Sequence, residues 1–279
     1  MSSPFKKAAL AFTFSPSREK LLLQASRLVA MFGCEIIIYH VGEKSADKEE
    51  QINTLCRKND ALKSPGIRWL SGDPAKAIIK QGEKDGIDLL IMGALEKESA
   101  IKYLMGSVAR DILRHSRFSV FCFTDPGVAR FDKIVTAIDY VSQYERAARI
   151  TGFIAVHDNP SETYFVKDVY IPALSSLAFD SGSSDEVEKI RSSYLADEEQ
   201  KLSLFLKESN IRGFDYKIKA LYGREAYETQ RFTMETEADL LIFTLHEKKL
   251  TLLDRIFTHD AEFIFEDLPS NLLLLKNSK

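Results

Sequence analysis

Cysteine is scarce in this sequence, and its scarcity excludes a disulfide-stapled secreted domain. Three cysteines, Cys34, Cys56 and Cys122, are scattered among 279 residues. Their number is odd and their spacing is wide, whereas a disulfide framework needs paired cysteines at short intervals. We therefore expect structural thiols in a reducing compartment, and the cytoplasm is the predicted location.

Long apolar runs are also missing. No stretch approaches the roughly 18 consecutive apolar residues that a membrane span requires. Residues 1–7, MSSPFKK, lead directly into a predicted strand and contain no apolar core of a secretory signal. No membrane association is therefore expected.

Neither sign of charge dominates the chain, whose formal net charge is −3. Residues 1–127 carry 19 Lys and Arg against 15 Asp and Glu, and residues 128–279 carry 19 against 26. Neither half is basic enough to indicate a nucleic-acid partner. The first half tolerates an anionic ligand better than the second half does.

Several enzyme motifs are absent as well. The sequence has no Gly-Lys-Ser/Thr of a P-loop, no Gly-x-Ser-x-Gly elbow, and neither Ser-Gly-Gly-x-Asp-Ser nor His-x-Gly-His of ATP-activating α/β folds. His40 falls in a buried strand pattern and is expected to be a hydrogen-bonded core residue. The histidines show no metal-ligand spacing: His40, His115, His157, His246 and His259. A role without catalysis and without a resident metal is favoured.

What the sequence does contain is a regular alternation of strand and helix patterns in residues 1–127. Apolar runs typical of buried strands alternate with stretches whose apolar residues recur at helical spacing. The predicted strands are Ala8–Phe14, Glu35–Val41, Ile67–Leu70, Ile87–Met92 and Phe118–Phe123. A helix, Ala46–Leu62, is predicted between the second and third of them. Such alternation is typical of a parallel sheet with helices on both faces.

The pattern restarts after a linker, Thr124–Asp132. The tetrapeptide Asp-Leu-Leu-Ile at 88–91 recurs at 239–242, which indicates an internal duplication. The predicted fold class is α/β, with two tandem doubly wound domains, 1–127 and 128–279, each built on a five-stranded parallel sheet flanked by helices. The second set of predicted strands is Lys133–Ile138, Tyr164–Tyr170, Phe214–Leu221, Leu240–Thr244 and Leu272–Leu275.

Glycines flank the connection after the fourth predicted strand. Met92 ends that strand, Gly93 follows it, and Gly106-Ser107 precedes the next helical pattern. Ligands of such folds bind at the carboxyl edge of the sheet, and the free N–H groups of a helix N-terminus suit phosphate. Gly93 can take a positive φ where the chain leaves the strand, and Gly106, which has no Cβ atom, lets a ligand oxygen approach the backbone. The alternative is that these glycines only end a strand and cap a helix.

The span GDPAKAIIKQGEKDGIDLLIMGALEKESAIKYLMGSVARDILRHS resembles the second half of a universal stress protein domain. Nucleotide-binding members of that family carry Gly-x2-Gly-x9-Gly-Ser/Thr after strand four. Gly93, Gly106 and Ser107 match this motif in register, whereas Glu96 stands at its second glycine. Glu96 adds bulk and negative charge beside the expected phosphates. Lys97 and Lys102 would offset that negative charge; the alternative is that they are ordinary solvated lysines.

The resemblance also implies contacts at the ends of the first two strands. The family's strand-one aspartate is Thr13 in this chain, and its strand-two valine is matched by Val41. The implied ligand is ATP or AMP, with Mg²⁺ carried only by the nucleotide. The implied site consists of Thr13, Val41, Met92, Gly93, Gly106 and Ser107.

The second half shows the reverse pattern of matches. Asp139 and Val169 stand at the strand-one and strand-two positions of the resemblance, so Asp139 is the candidate of this half, although it also fits an ordinary strand-end residue. Carboxylates at Asp260 and Glu262 would repel a phosphate at the helix that follows. The glycines and serine of the loop are replaced by Thr244, Glu247, Phe257 and Thr258.

The resemblance implies a stress-response protein that binds an adenine nucleotide in its first domain and acts through contacts with protein partners. A ligand-free interaction scaffold and a slow ATPase are the alternatives. Because domains of this family pair through their fifth strands, Phe118–Phe123 is expected to pair with Asn271–Leu275 within the chain. A homodimer is a further expectation.

Overall fold

The computed structural model describes residues 3–62, 65–94, 105–124, 127, 129–170, 184–245, 264 and 268–276. The chain divides into two compact units. The first unit contains Met1–Arg130 together with Phe265–Lys279, and the second contains Phe131–Ile264.

The first unit alternates strands and helices. Its strands are β1 Lys7–Ala11, β2 Glu35–Val41, β3 Gly66–Leu70, β4 Leu89–Gly93 and β5 Ser119–Phe123. Its helices are α1 Arg18–Phe32, α2 Ala46–Arg57, α3 Pro74–Asp85 and α4 Ser107–His115, with a short 3-10 turn at Asp60–Leu62. These five strands are parallel and lie in the order β3-β2-β1-β4-β5. Their central strands are almost fully buried.

Local sequence signals fix the ends of several helices in this unit. The Ser45 hydroxyl accepts the Lys48 N–H at 3.2 Å, and the Asp73 carboxylate accepts the Lys76 N–H at 3.0 Å, so both side chains cap a helix N-terminus. Gly33 and Gly86 end α1 and α3 in the left-handed conformation, with φ of 60° and 64°. Residues close in sequence therefore determine where these helices begin or end.

The second unit repeats the same plan. Its described strands are β6 Lys133–Ala137, β7 Glu162–Val169, β8 Lys217–Tyr222 and β9 Leu240–Leu245. Its described helices are α5 Glu145–Asp158, α6 Ser184–Glu208 and α7 Tyr227–Glu235, preceded by a 3-10 turn at Ser142–Tyr144. The four strands are parallel in the order β9-β6-β7-β8, which matches β4-β1-β2-β3.

The last described strand, β10 Asn271–Lys276, lies with the first unit. It pairs antiparallel with β5, with Leu273 opposite Phe121. The Asn271 side-chain oxygen accepts the Thr124 backbone N–H at 2.9 Å and its hydroxyl at 3.3 Å. The expected pairing of the two fifth strands within one chain is therefore confirmed.

The predicted α/β class, with open and mostly parallel sheets flanked by helices, is confirmed. Some boundaries differ from the prediction. β1 is assigned only to Ala11 instead of Phe14, and α2 ends at Arg57, after which residues 60–62 form a 3-10 turn. Among the helices described, none is long and apolar enough to cross a membrane.

Candidate functional site

The ends of β1 and β2 bring the first two predicted site residues to one edge of the sheet. The Phe12 N–H donates to the Tyr39 carbonyl at 2.8 Å, which extends the β1–β2 pairing beyond Ala11. Thr13 follows the end of β1 and Val41 is the last residue of β2, its parallel neighbour. Thr13 is exposed and Val41 is partly exposed, so both are accessible at the carboxyl edge.

Gly93 reaches the same edge as the final residue of β4, opposite Phe123 of β5, and directly follows the buried Met92. Gly93 does not adopt a positive φ, since the structure keeps this residue within the strand and outside the left-handed region. A Cβ atom at this position would meet Leu21 Cδ2 at 3.6 Å, which is ordinary contact. Neither the backbone nor packing among the described residues therefore requires a glycine here.

Helix α4 begins at this edge without a side-chain cap. Gly106 is its N-cap residue, with φ −63° and ψ 155°, and it has no side chain with which to cap the first turn. The first turn also carries no acidic residue. Ser107 is exposed, so its hydroxyl and the free N–H groups beside it can donate to an anion. This differs from α2 and α3, whose N-termini are capped by Ser45 and Asp73.

Arg110 adds a cation to the start of α4, where the sequence motif gave no reason to expect one. Its Nη2 donates to the Met105 carbonyl at 3.0 Å, so the guanidinium is held just before the N-cap. Its Nε is buried and has no hydrogen-bond partner within the described part of the chain. A cation is electrostatically unfavourable at a helix N-terminus unless an anion compensates for it.

A row of aromatic rings lies along the ends of β1, β2 and β3, and sequence reasoning missed it. Phe14 contacts His40 edge-on with centroids 5.0 Å apart, and His40 contacts Trp69 at 5.2 Å. Phe12 packs against Phe14 at 5.4 Å. The row could not be found from local patterns because its members come from three separate strands.

His40 is buried within this row, and its Nδ1 lies 3.0 Å from the Phe12 carbonyl. The prediction of a hydrogen-bonded core histidine is therefore confirmed. The cysteines are also buried. Burial raises the pKa of Cys34 and Cys56 to about 11 and that of Cys122 to about 12, so none of these thiols is activated at neutral pH.

Asp139, the candidate of the second half, takes part in an internal ion-pair network. Its Oδ1 lies 2.9 Å from the Lys167 ammonium and accepts the Tyr140 N–H at 2.7 Å. Lys167 also pairs at 2.8 Å with Glu198 of α6, whose side chain is 5% exposed. The Lys167 ammonium lies 3.7 Å from the centre of the Tyr140 ring. The Asp139 carboxylate is thus already neutralised by a cation of its own unit.

Parts of the predicted loops cannot be compared with the structure. In the second half, Thr244 is described and lies buried in β9. Within the described ranges, no group of three or more His, Cys, Asp or Glu side chains is arranged to hold a metal ion. The residues that lie outside the described ranges are Glu96, Lys97, Lys102, His246, Glu247, Phe257, Thr258, His259, Asp260 and Glu262.

The fold is that of a doubly wound α/β protein. The N-terminus of α4 lies at the carboxyl ends of its parallel strands. Residues 42–123 match the sequence model of the Universal stress protein family. The family resemblance is therefore confirmed for this segment, which runs from the end of β2 to the end of β5. No curated protein matches the chain.

Solved structures share the fold over nearly the whole chain. A functionally unknown protein from Pseudomonas aeruginosa is 14% identical, with a TM-score of 0.72 over 98% of this chain and 92% of its own. A universal stress protein from Archaeoglobus fulgidus is 17% identical, with a TM-score of 0.63 over 100% of both chains. At such low identity these likenesses establish the fold alone.

Proposed function

We propose that the first unit binds an adenine nucleotide, ATP or AMP, and that the chain is a stress-response regulator acting through nucleotide-dependent contacts with other proteins. The observation that carries the proposal is the N-terminus of α4. Its N-cap residue, Gly106, provides no side-chain cap, and its first turn carries no acidic side chain. Such an arrangement suits a phosphate group.

Five of the six predicted residues have a direct role in this proposal. The N–H groups beside Gly106 and the Ser107 hydroxyl would donate to phosphate oxygens, and the absence of a side chain at Gly93 would leave space for the ligand. Thr13 and Val41 would contact the adenosine, with the Thr13 hydroxyl as hydrogen-bond donor or acceptor. Arg110 would supply a positive charge to the phosphate group. Thr13 carries no carboxylate, so it would not compete for that charge. Mg²⁺ would enter only with the nucleotide.

The second unit is proposed to serve protein contacts instead of nucleotide binding. Its strand-one carboxylate, Asp139, is paired with Lys167, and that pair is anchored by the buried Glu198. A nucleotide hydroxyl or base would have to displace a charge-assisted hydrogen bond to reach Asp139. The assignment of residues 1–127 and 128–279 to distinct roles rests on this difference.

Calorimetry with ATP and AMP on the full chain and on three variants of one residue tests the proposal. Because Gly106 has φ −63°, any L-residue fits the backbone there, and variants differ only in bulk and charge. Gly106→Ala should bind more weakly than wild type, Gly106→Gln more weakly still, and Gly106→Glu not measurably. The glutamate would place its own carboxylate at the helix N-terminus and repel the phosphate.

Native mass spectrometry of freshly purified protein complements the titration by detecting retained nucleotide. The chain has one tryptophan, Trp69, which lies at the same edge as Thr13 and Val41, so its fluorescence reports binding there. Equal affinity of wild type and Gly106→Glu would place the ligand elsewhere. No binding to wild type at all would favour the ligand-free scaffold, and phosphate release that disappears in Gly106→Glu would favour the slow ATPase.

A further inference from the structure

His40, near the end of β2, is held in one tautomer by a backbone carbonyl group. Its Nδ1 lies 3.0 Å from the Phe12 carbonyl oxygen. A carbonyl oxygen can only accept a hydrogen bond, so Nδ1 carries a proton and donates it. In the neutral imidazole the other ring nitrogen, Nε2, then keeps its lone pair and is a hydrogen-bond acceptor.

Neighbouring rings fix the orientation of this imidazole. Phe14 contacts His40 at an interplanar angle of 78°, with ring centroids 5.0 Å apart, and Trp69 contacts it at 78° and 5.2 Å. Trp69 is also the residue paired with His40 in the parallel register of β2 and β3. The acceptor nitrogen of His40 therefore has a defined direction.

The backbone of Gly42 borders the acceptor nitrogen. A Cβ atom on Gly42 would lie 3.0 Å from Nε2 and 3.5 Å from Cδ2 of His40. Any side chain at position 42 would therefore stand against this nitrogen and restrict access to it. Gly42 is itself exposed, so the lack of a side chain there leaves Nε2 within reach of the protein surface.

The two donors that flank Nε2 are not bonded to it. The Gly42 backbone N–H donates to the Leu70 carbonyl at 2.8 Å. The Trp69 indole Nε1 is buried and has no hydrogen-bond partner within the described part of the chain. Among the described residues, the contact with Phe12 is the one hydrogen bond of the His40 ring. Nε2 is therefore available to accept a hydrogen bond from a ligand.

This acceptor is attached to the same strand ends as the proposed adenosine contacts. Thr13 directly follows Phe12, whose carbonyl holds the imidazole, and Val41 stands between His40 and Gly42 in the chain. A base that contacts Thr13 and Val41 would therefore lie near Nε2.

We propose that His40 selects the base of the nucleotide, an inference that rests on the nucleotide site proposed above. Nε2 accepts a hydrogen bond from the exocyclic amino group of adenine. A 6-oxo purine, such as guanine or hypoxanthine, carries an acceptor oxygen in place of that donor. Two facing acceptors repel each other and form no hydrogen bond, so 6-oxo purine nucleotides bind more weakly.

Calorimetry with ATP and ITP, which differ at position 6 of the base, tests this selection on the full chain at pH 8, where imidazole is ordinarily neutral. Wild type should bind ATP roughly ten- to a hundredfold more tightly than ITP, because ITP leaves the acceptor without a partner. His40→Asn keeps an amide N–H for the Phe12 carbonyl but has no counterpart of Nε2, so the ratio of the two affinities should fall to near one. Trp69→Phe retains an aromatic ring beside His40 and is the control that should keep the wild-type ratio. Because the ratio is measured within one protein, a general loss of affinity in a variant cancels.

A ratio near one in wild type, or an unchanged ratio in His40→Asn, would overturn the inference and leave the proposed nucleotide site in place. Binding of neither nucleotide to wild type would refute the proposed function, and the inference with it.

If His40→Asn does not fold, nitrogen-15 NMR of the histidine rings in wild type decides the question. A proton on Nδ1 of His40, together with an Nε2 signal that shifts on addition of ATP and not of ITP, supports the inference. A proton on Nε2 in the neutral ring, or an Nε2 signal that both nucleotides leave unchanged or shift equally, refutes it.

Discussion

Asp88 and Asp239, which are 151 positions apart, make the same contact in their respective units. The Asp88 carboxylate accepts the backbone N–H groups of Lys6 at 2.7 Å and Lys7 at 3.1 Å. The Asp239 carboxylate accepts those of Asp132 at 2.8 Å and Lys133 at 2.9 Å. Each aspartate, placed just before the fourth strand of its unit, therefore pins the start of the first strand. The repeated Asp-Leu-Leu-Ile tetrapeptide is conserved within the chain for a structural reason.

Replacing either aspartate by alanine should destabilise the protein by similar amounts. Each variant leaves two backbone N–H groups without their charged acceptor, at a cost of about 1–3 kcal/mol. Urea unfolding measures the change, with the exposed Asp215→Ala as the control that should leave stability within about 0.5 kcal/mol. A much smaller loss for Asp239→Ala than for Asp88→Ala would show that the two contacts are not energetically equivalent.

Two glycines of the first unit should differ in how much their replacement by alanine changes the free energy of unfolding. In α3, a Cβ atom at Gly82 would lie 2.5 Å from Phe118 Cε1, so Gly82→Ala overpacks the contact between α3 and Phe118. We expect a net destabilisation of about 1–2 kcal/mol, because overpacking outweighs the gain in helix propensity.

Gly93→Ala should leave the free energy of unfolding within about 1 kcal/mol of wild type, since its Cβ atom makes only an ordinary contact with Leu21. If the proposed nucleotide site is correct, the same variant should bind ATP more weakly, because the methyl group takes up ligand space. Thermal unfolding and calorimetry on both variants separate the two effects. Strong destabilisation by Gly93→Ala would mean that the glycine serves the fold.

Arg110→Gln should weaken nucleotide binding at the start of α4. A lost hydrogen bond between a guanidinium and a phosphate is worth about 1.5–3 kcal/mol, which corresponds to roughly ten- to a hundredfold in affinity. Arg114→Gln, in the last turn of the same helix, is the matched control and should change affinity little. If the two substitutions weaken nucleotide binding equally, Arg110 acts only through its long-range charge and makes no direct contact with the phosphate.

Lys167→Met should destabilise the second unit by about 1.5–3 kcal/mol, because the buried Glu198 carboxylate loses one of its two cationic partners and keeps only Lys201. The exposed Lys219→Met on β8 is the control and should cost little. Burial alone would raise the pKa of Glu198, but hydrogen bonds from Lys167 and Lys201 outweigh burial and leave the pKa lowered.

The pH dependence of this network has a definite sign. A carboxyl group with a lowered pKa in the folded state contributes stability above its ordinary pKa, 4.5 for Glu198, and loses that contribution as pH falls further. Wild type should therefore lose stability below about pH 4.5 more steeply than Lys167→Met does. Parallel acid-unfolding curves for the two proteins would contradict the assignment.

Local patterns predicted most of the fold. Alternating apolar runs identified the strands, and Asp73-Pro74 and Gly86 marked both ends of α3 because capping depends on residues close in sequence. The pairing of β5 with β10 was predicted from the resemblance to a family whose domains pair through their fifth strands. The antiparallel register itself required the structure.

The candidate site was less predictable because its chemistry depends on contacts between distant residues. The motif located Gly106 and Ser107, but not the guanidinium of Arg110 against the Met105 carbonyl. Asp139 was recognised as a strand-end residue, whereas its pairing with Lys167 involves a strand that carried no motif. The φ of Gly93 could not be derived from its residue type, because the strand continues one residue further than its apolar run indicates.

The position of β10 has a consequence for the order in which the protein is made. Thr124 and Asn271, which share a buried hydrogen bond, are 147 positions apart in the chain. Synthesis proceeds from the amino end, so β5 emerges long before the strand that covers its outer side. Until residues 271–276 arrive, an apolar strand edge stays open to neighbouring nascent chains, and the closing of this long loop makes the final pairing slow. We therefore expect aggregation of this protein to be most favourable in the period between the two events.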